Sequence, residues 1–264
     1  MRAGVAISAF ARNRGLVLLA ALALLAGVVV PGEAMAWRRV QELVRGTADT
    51  LEKGRLTVGI FAPAMYGVTD ALTIASHPIL DLLLVPNLDV RYRLSGDDTW
   101  VFAAYGGYKQ GFQPVDSSGV AGQTQLGGMA TRYLVDRVAL SAGLGWSGRI
   151  DRTVTVTTDT STAEPRTTTT SDLTLDHGLG GFINASWLID DRHVLMVSSQ
   201  ARLGTFGFED GLLTGAFVFA RGAFQFVIGA SMGAFELRKL NVTSSATVVA
   251  TWPVMPYVDI WWDF

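Results

Sequence analysis

Through most of the chain after Gly54, apolar residues fall at every second position, with polar or small residues between them. A strand points successive side chains to opposite faces, so this period of two predicts ribbons with one greasy side. Val138, Leu140, Ala142, Leu144, Trp146 and Ile150 form the clearest stripe, against Ala139, Ser141, Gly143, Gly145, Ser147 and Arg149. The same alternation marks 56–60, 72–74, 88–94, 100–108, 173–189, 195–203 and 224–232. It returns in the closing V-D-I-W-W-D-F, where Val258, Ile260, Trp262 and Phe264 share one side and Asp259, Trp261 and Asp263 the other. Turns are expected at 66–70, 95–98, 136–137, 190–192 and 221–222, a short outer loop at 207–211, and further loops at 114–122, 151–170 and 239–251.

Eleven alternating segments can be counted in this way. Closed single-chain barrels usually have an even number of strands. Twelve follows if the first segment is two short strands, and ten if one segment is not part of the wall; twelve is preferred. Two stretches do not alternate. Residues 37–53 show only a weak helical spacing at Val40, Leu43 and Val44, which suggests a polar leader before the barrel, with a plug inside it as the alternative. Residues 77–87 form an apolar run bracketed by Pro78 and Pro86, either a loop on the rim or a short helix inside. Prolines there suit strand ends, since they lend no donor to a ladder.

Composition explains why the greasy faces need no second sheet. Charged residues are only 17% of the chain and glycines number 29, yet no long apolar run occurs after the first thirty residues. A lipid-facing barrel alternates, so it never shows a helix-like hydropathy peak. The expectation is an all-β, transmembrane antiparallel up-and-down barrel over 54–264. A net charge of -2 argues against a nucleic-acid partner, whose phosphates call for dense Lys and Arg. With no Cys, disulfide and thiol chemistry are excluded. At the start, Arg2, Arg12 and Arg14 precede the apolar run 16–30, and Ala34-Met35-Ala36 offers a cleavage site. The run is shorter than the about 20 residues a spanning helix needs, so 1–36 is read as a cleaved signal peptide and 37–53 as a periplasmic leader.

The terminal aromatic Phe264 with alternating residues before it, and Y-G-V-T-D at 66–70, resemble bacterial outer-membrane β-barrel proteins of a transporter-like, porin-like kind. The resemblance implies a Gram-negative outer membrane, with outer-membrane lipid around the wall. It also implies that periplasmic chaperones and the barrel-insertion machinery handle the chain, reading Ile260, Trp262 and Phe264 as an assembly signal.

Aromatic residues near strand ends (Tyr66, Tyr92, Trp100, Tyr133, Trp146, Trp187, Phe219 and Trp262) suit the two headgroup boundaries. The inward positions are expected to carry Arg55, Arg91, Arg93, Arg132, Arg149 and Arg202 against Asp89, Asp176 and Asp259. Such a set can be an ion-pair network between strands, or a basic constriction favouring anions. The leading functional expectation is therefore a passive channel or transporter for small hydrophilic or anionic solutes. A non-conducting barrel acting through its Thr-rich 151–170 loop is the alternative, and a lipid-modifying enzyme the third. His77, His177 and His193 are the only histidines, and neither Ser186 nor Ser199 stands at a spacing specific for a nucleophile. No catalytic residue, metal site or cofactor is expected.

Overall fold

The computed structural model describes residue 37 and residues 39–264, apart from 83–84, 111–117, 160–165, 205–206 and 239–246. The predicted signal segment 1–36 lies outside the described residues, as do parts of the predicted loops. Twelve strands are described: β1 (Leu56–Gly59), β2 (Ala64–Thr69), β3 (Leu72–Ser76), β4 (Asn87–Gly96), β5 (Trp100–Gln110), β6 (Gly119–Val135), β7 (Val138–Asp159), β8 (Arg166–Asp190), β9 (His193–Gly204), β10 (Gly207–Arg221), β11 (Phe224–Arg238) and β12 (Thr247–Asp263). Each pairs antiparallel with its chain neighbour, and β1 pairs with β12, so the sheet is a closed up-and-down barrel. Tight turns at 70–71, 97–99, 136–137, 191–192 and 222–223 mark one end, the turn end; the opposite one is the loop end.

The parity of the strand count is settled at the beginning. The first alternating stretch is two strands, because the chain reverses at 60–63 between β1 and β2. The predicted turn at 66–70 is smaller than expected: residues 66–69 belong to β2, and the reversal is at Asp70 and Ala71. Likewise 207–210 and 247–251 are strand rather than loop. The Thr-rich insertion is a long ladder, with β7 and β8 paired out to Asp159 and Arg166.

Alternation sorts the two faces as predicted. Leu126, Leu144 and Ile183 on the outside are each 65% exposed, whereas inward Val101, Ala139, Val194 and Val227 are at most 1% exposed. Two residues fall on the other side from that expected. Tyr133 and its neighbour Thr131 are buried and inward, so Arg132 between them points outward rather than into the lumen. Its guanidinium lies 5.4 Å from the ring of Trp100, a cation–π contact on the outer surface near the turn end. The single-residue offset has a simple origin, since a period of two flips every side chain when the phase slips by one.

Candidate functional site

Residues 37–53 lie inside the barrel, the second of the two arrangements open from the sequence. Trp37, Val40, Leu43, Ala48 and Leu51 are buried, and most pack against inward side chains including Val101, Met129, Val194, Val218 and Trp261. Among its described residues only Val40–Glu42 are helical, a single 3-10 turn. Its backbone groups must then find partners elsewhere. The Trp37 N–H donates to the Asp191 carbonyl and the Val40 N–H to the Asp136 carbonyl, both in turns at the barrel's turn end. Deeper in, the wall supplies side chains. The Ala48 N–H donates to Thr131 Oγ1 at 2.6 Å, the Leu51 N–H to Thr73 Oγ1 at 2.8 Å, and Asn184 Nδ2 to the Gly46 carbonyl at 2.9 Å.

Charges clamp the same plug. Arg91 Nη1 donates to the carbonyls of Val44 and Asp49 at 2.9 and 2.8 Å. The Asp49 carboxylate accepts from Tyr133 Oη at 2.6 Å and pairs with Arg93 at 3.2 Å. From the plug itself, Arg45 donates to Thr57 Oγ1 and the Pro63 carbonyl, and its guanidinium sits 4.6 Å from the Trp261 ring. Burial pulls Arg45 down to about 10 against the attraction of Asp263 and Asp259, which leaves it charged at neutral pH. One space between plug and wall, beside Arg45 and Trp261, measures about 30 Å³, room for a water or two. Arg91 and Arg93 therefore hold a segment in place instead of lining a free passage.

The Y-G-V-T-D stretch is where the plug leaves the lumen. Gly67 exchanges backbone hydrogen bonds with Gly54 and Arg55, and the Asp70 carboxylate accepts from the Lys53 N–H at 2.9 Å. A Cβ at Gly67 would stand 2.1 Å from the Glu52 carbonyl oxygen and 2.7 Å from that of Leu51. Only glycine lets the two backbones pass this closely. Gly67→Ala is expected to lose about 1–3 kcal/mol of docking through overpacking. Limited proteolysis would register this as faster cleavage within 37–53 while the strands stay protected.

Above the plug the lumen narrows, then widens. Inward glycines do not leave free space here; aromatic rings fill it. Phe182 covers Gly143, Tyr105 covers Gly127 and Gly145, and Tyr257 covers Gly229. Tyr105 and Phe182 meet at 6.2 Å between ring centroids. On the loop side of this floor is a cavity of about 300 Å³, lined by residues that include His77, Asp89, Lys109, Gln125, Ser147, Arg149 and Arg202. Arg149 pairs with Asp151 at 3.0 Å, and both Arg149 and Arg202 reach Asp176. Arg202 also donates to Ser147 Oγ at 2.9 Å, and Asp89 accepts from Gln125 Nε2 at 3.0 Å. Lys109 is exposed to the cavity and makes no ion pair among the described residues. Burial, then the neighbouring Lys109, lowers the pKa of His77 from the ordinary value.

The predicted charged residues thus divide into tiers. Arg91 and Arg93 belong to the plug clamp; Asp89, Arg149, Asp176 and Arg202 belong to the vestibule. Arg55 borders the small space beside the plug, near Asp263. Asp259 belongs to neither tier: it accepts from the N–H groups of Phe61, Ala62 and Ile260 and from Trp261 Nε1. Sequence reasoning missed Arg45, Asp49, Thr73, Thr131, Tyr133 and Asn184, because each acts through a partner distant in the chain. Of the histidine and serine candidates, His177 is outward and exposed while Ser186 is inward and buried, so the wall stands between them. A scan against protein-family models finds no match to this chain, and a search of curated proteins likewise returns none.

Proposed function

We propose that the protein sits in the outer membrane of a Gram-negative bacterium and passes small hydrophilic or anionic solutes through a lumen gated by its own N-terminal segment. The observation that carries this reading is the polar vestibule stacked above a hydrogen-bonded plug. The vestibule gathers solute, and movement of residues 37–53 opens the way across. The outward stripe supports the membrane setting: Leu126, Leu144, Leu179 and Ile183 are more than half exposed on a wall with no second sheet over it. Ile260 and Trp262 alternate with inward Asp259 and Trp261 on β12, Phe264 follows the strand, and the three act, in this reading, as the signal for barrel insertion.

Lys109, Arg149 and Arg202 face the vestibule against Asp89, with Asp176 behind the two arginines. Asp151, paired with Arg149, completes a set of three cations and three carboxylates, in which Lys109, without an ion pair among the described residues, is the charge offered to an anion. In planar bilayers the full chain should conduct in rare, brief steps, and Arg91→Ala should lengthen them by freeing the Val44 and Asp49 carbonyls. Lys109→Glu should move the reversal potential in a salt gradient toward cations. Silence from both the full chain and Arg91→Ala at every salt concentration would overturn the passage. A second reading rests on the β7–β8 ladder, which is 22 and 25 residues long against the about 9–11 needed to cross. In it the barrel is a non-conducting mount for a projecting Thr-rich hairpin, the outcome that silence would favour.

A further inference from the structure

The wall is not equally tall all the way round. β1, β2 and β3 contain 4, 6 and 5 residues, whereas β4 contains 10 and β12 contains 17. A bilayer-crossing strand needs about 9–11 residues, to span an apolar band about 25 Å tall. Six residues at about 3.4 Å each reach roughly 20 Å along the strand, and less in height once tilted. Three neighbouring strands therefore end well short of the loop-side rim. With strands about 4.8 Å apart, the dip between β12 and β4 is on the order of 20 Å wide.

β12 bears the mark of the same dip. Its seam with β1 runs only from the Leu56–Phe264 pair to the bond from the Ile60 N–H to the Ile260 carbonyl. Above that point β12 continues to pair with β11 as far as Thr247, with no strand described on its other side. The Ile60–Ile260 bond fixes which residues turn their backbone groups to the β1 side: the even-numbered ones, Pro256 among them. Proline has no N–H to lend, so it stands where no ladder has to form.

What occupies the dip is not sheet. It is the 60–63 reversal and a short helix, α1 (Pro78–Leu82), the Pro-bracketed stretch whose structure the sequence left open. The helix is tied at its base: Ser76 Oγ donates to Asp81, Asn87 Nδ2 donates to Asp81 at 2.9 Å, and the His77 N–H donates to Asn87 Oδ1. Its outer surface is greasy, as is that of its neighbours. Phe61 is 61% exposed, Leu82 50% and Val258 47%. His77 joins the two regions, for it lines the vestibule and leads directly into α1.

We propose that this dip is a lateral portal through which a single-chain carboxylate amphiphile, such as a fatty acid, reaches the vestibule from the surrounding lipid. The inference rests on the reading of the chain as a membrane barrel with an anion-receiving vestibule, and adds the substrate class and its route. The carboxylate meets Lys109, backed by Arg149, and the acyl tail passes His77 to lie against Phe61 and Leu82. A cavity of about 300 Å³ is at the small end of ligand pockets, which suits a head and the first carbons of one chain better than a two-chain lipid. Access from the side also leaves the plug undisturbed, so loading the vestibule and opening the lumen are separate events.

The test is photolabelling of the full chain in phosphatidylcholine vesicles with dodecanoate carrying a diazirine in its tail. Adducts mapped by peptide sequencing should concentrate at 60–63 and 78–82, and excess unlabelled dodecanoate should suppress them where dodecanol does not. Lys109→Glu should reduce them about tenfold, the loss of one charge-assisted contact. Labelling spread evenly over Leu144, Leu179 and Ile183, or indifferent to Lys109→Glu, would overturn the portal. If acetate alters the ion preference while dodecanoate leaves 60–63 and 78–82 unlabelled, the portal falls and the vestibule reading stands. A chain that never acquires the heat-modifiable mobility of an inserted barrel would overturn the membrane reading itself.

Discussion

Removing residues 37–53 should turn a sealed lumen into a conducting one. At the turn end inward Ala103, Thr131, Ala139, Ser141 and Ser186 are small and leave the middle of the lumen to the plug. In planar bilayers the truncated chain should show discrete, sustained steps where the full chain gives brief ones. Asp49→Ala probes the same barrier with every strand intact. It removes the acceptor for Tyr133 and the partner of Arg93 at once. Arg93 is 35% exposed, so water screens part of its loss, and the plug should be weakened by about 2–3 kcal/mol, mostly from the orphaned hydroxyl. Hydrogen exchange across 40–50 should rise accordingly, with the strand amides unchanged. If the truncated chain folds to a heat-modifiable barrel and still conducts no better than the full one, the plug is not the barrier.

Asp259→Ala should be the most damaging single substitution in the wall. The carboxylate is 2% exposed and accepts from Phe61 N–H at 3.0 Å, Ala62 N–H at 2.8 Å, Ile260 N–H at 2.8 Å and Trp261 Nε1 at 2.7 Å. Alanine leaves these donors without their acceptor next to the shortest seam in the barrel. Buried groups left unsatisfied lose about 1–3 kcal/mol each, so allowing for partial relaxation the variant should be about 4 kcal/mol less stable. Urea unfolding in lipid should show the midpoint falling with little change in slope. Asp259→Asn keeps one acceptor oxygen and should fall between the two. A midpoint like that of the unsubstituted chain would mean that the 60–63 reversal holds itself in place.

Both results bear on what could be read from the chain. The stripe from Val138 to Ile150 named its own faces, because the outward and lumen sides differ so much in apolar character that one strand suffices to tell them apart. Charged residues were harder. Asp259 alternates like any lumen residue, yet its carboxylate closes a turn nearly two hundred positions away in the chain. Arg132 illustrates the opposite failure: a lone arginine suggests the interior, but near the turn end it can lie outside beside Trp100. The plug was the hardest, since residues 37–53 carry no strand period and only a weak helical one. Their backbone is satisfied by Thr73, Thr131 and Asn184, inward residues on three strands that look interchangeable with any other polar lumen position.

The period-two pattern by itself determined the all-β class, the closed sheet and the outward face. These follow from local geometry: each strand carries its own two-sided code, and any edge must be paired. Only the tertiary structure decided that the lumen is filled at one end and hollow at the other. That outcome depends on which segment enters the barrel and which side chains from separate strands converge on it, and no spacing within a single strand encodes either.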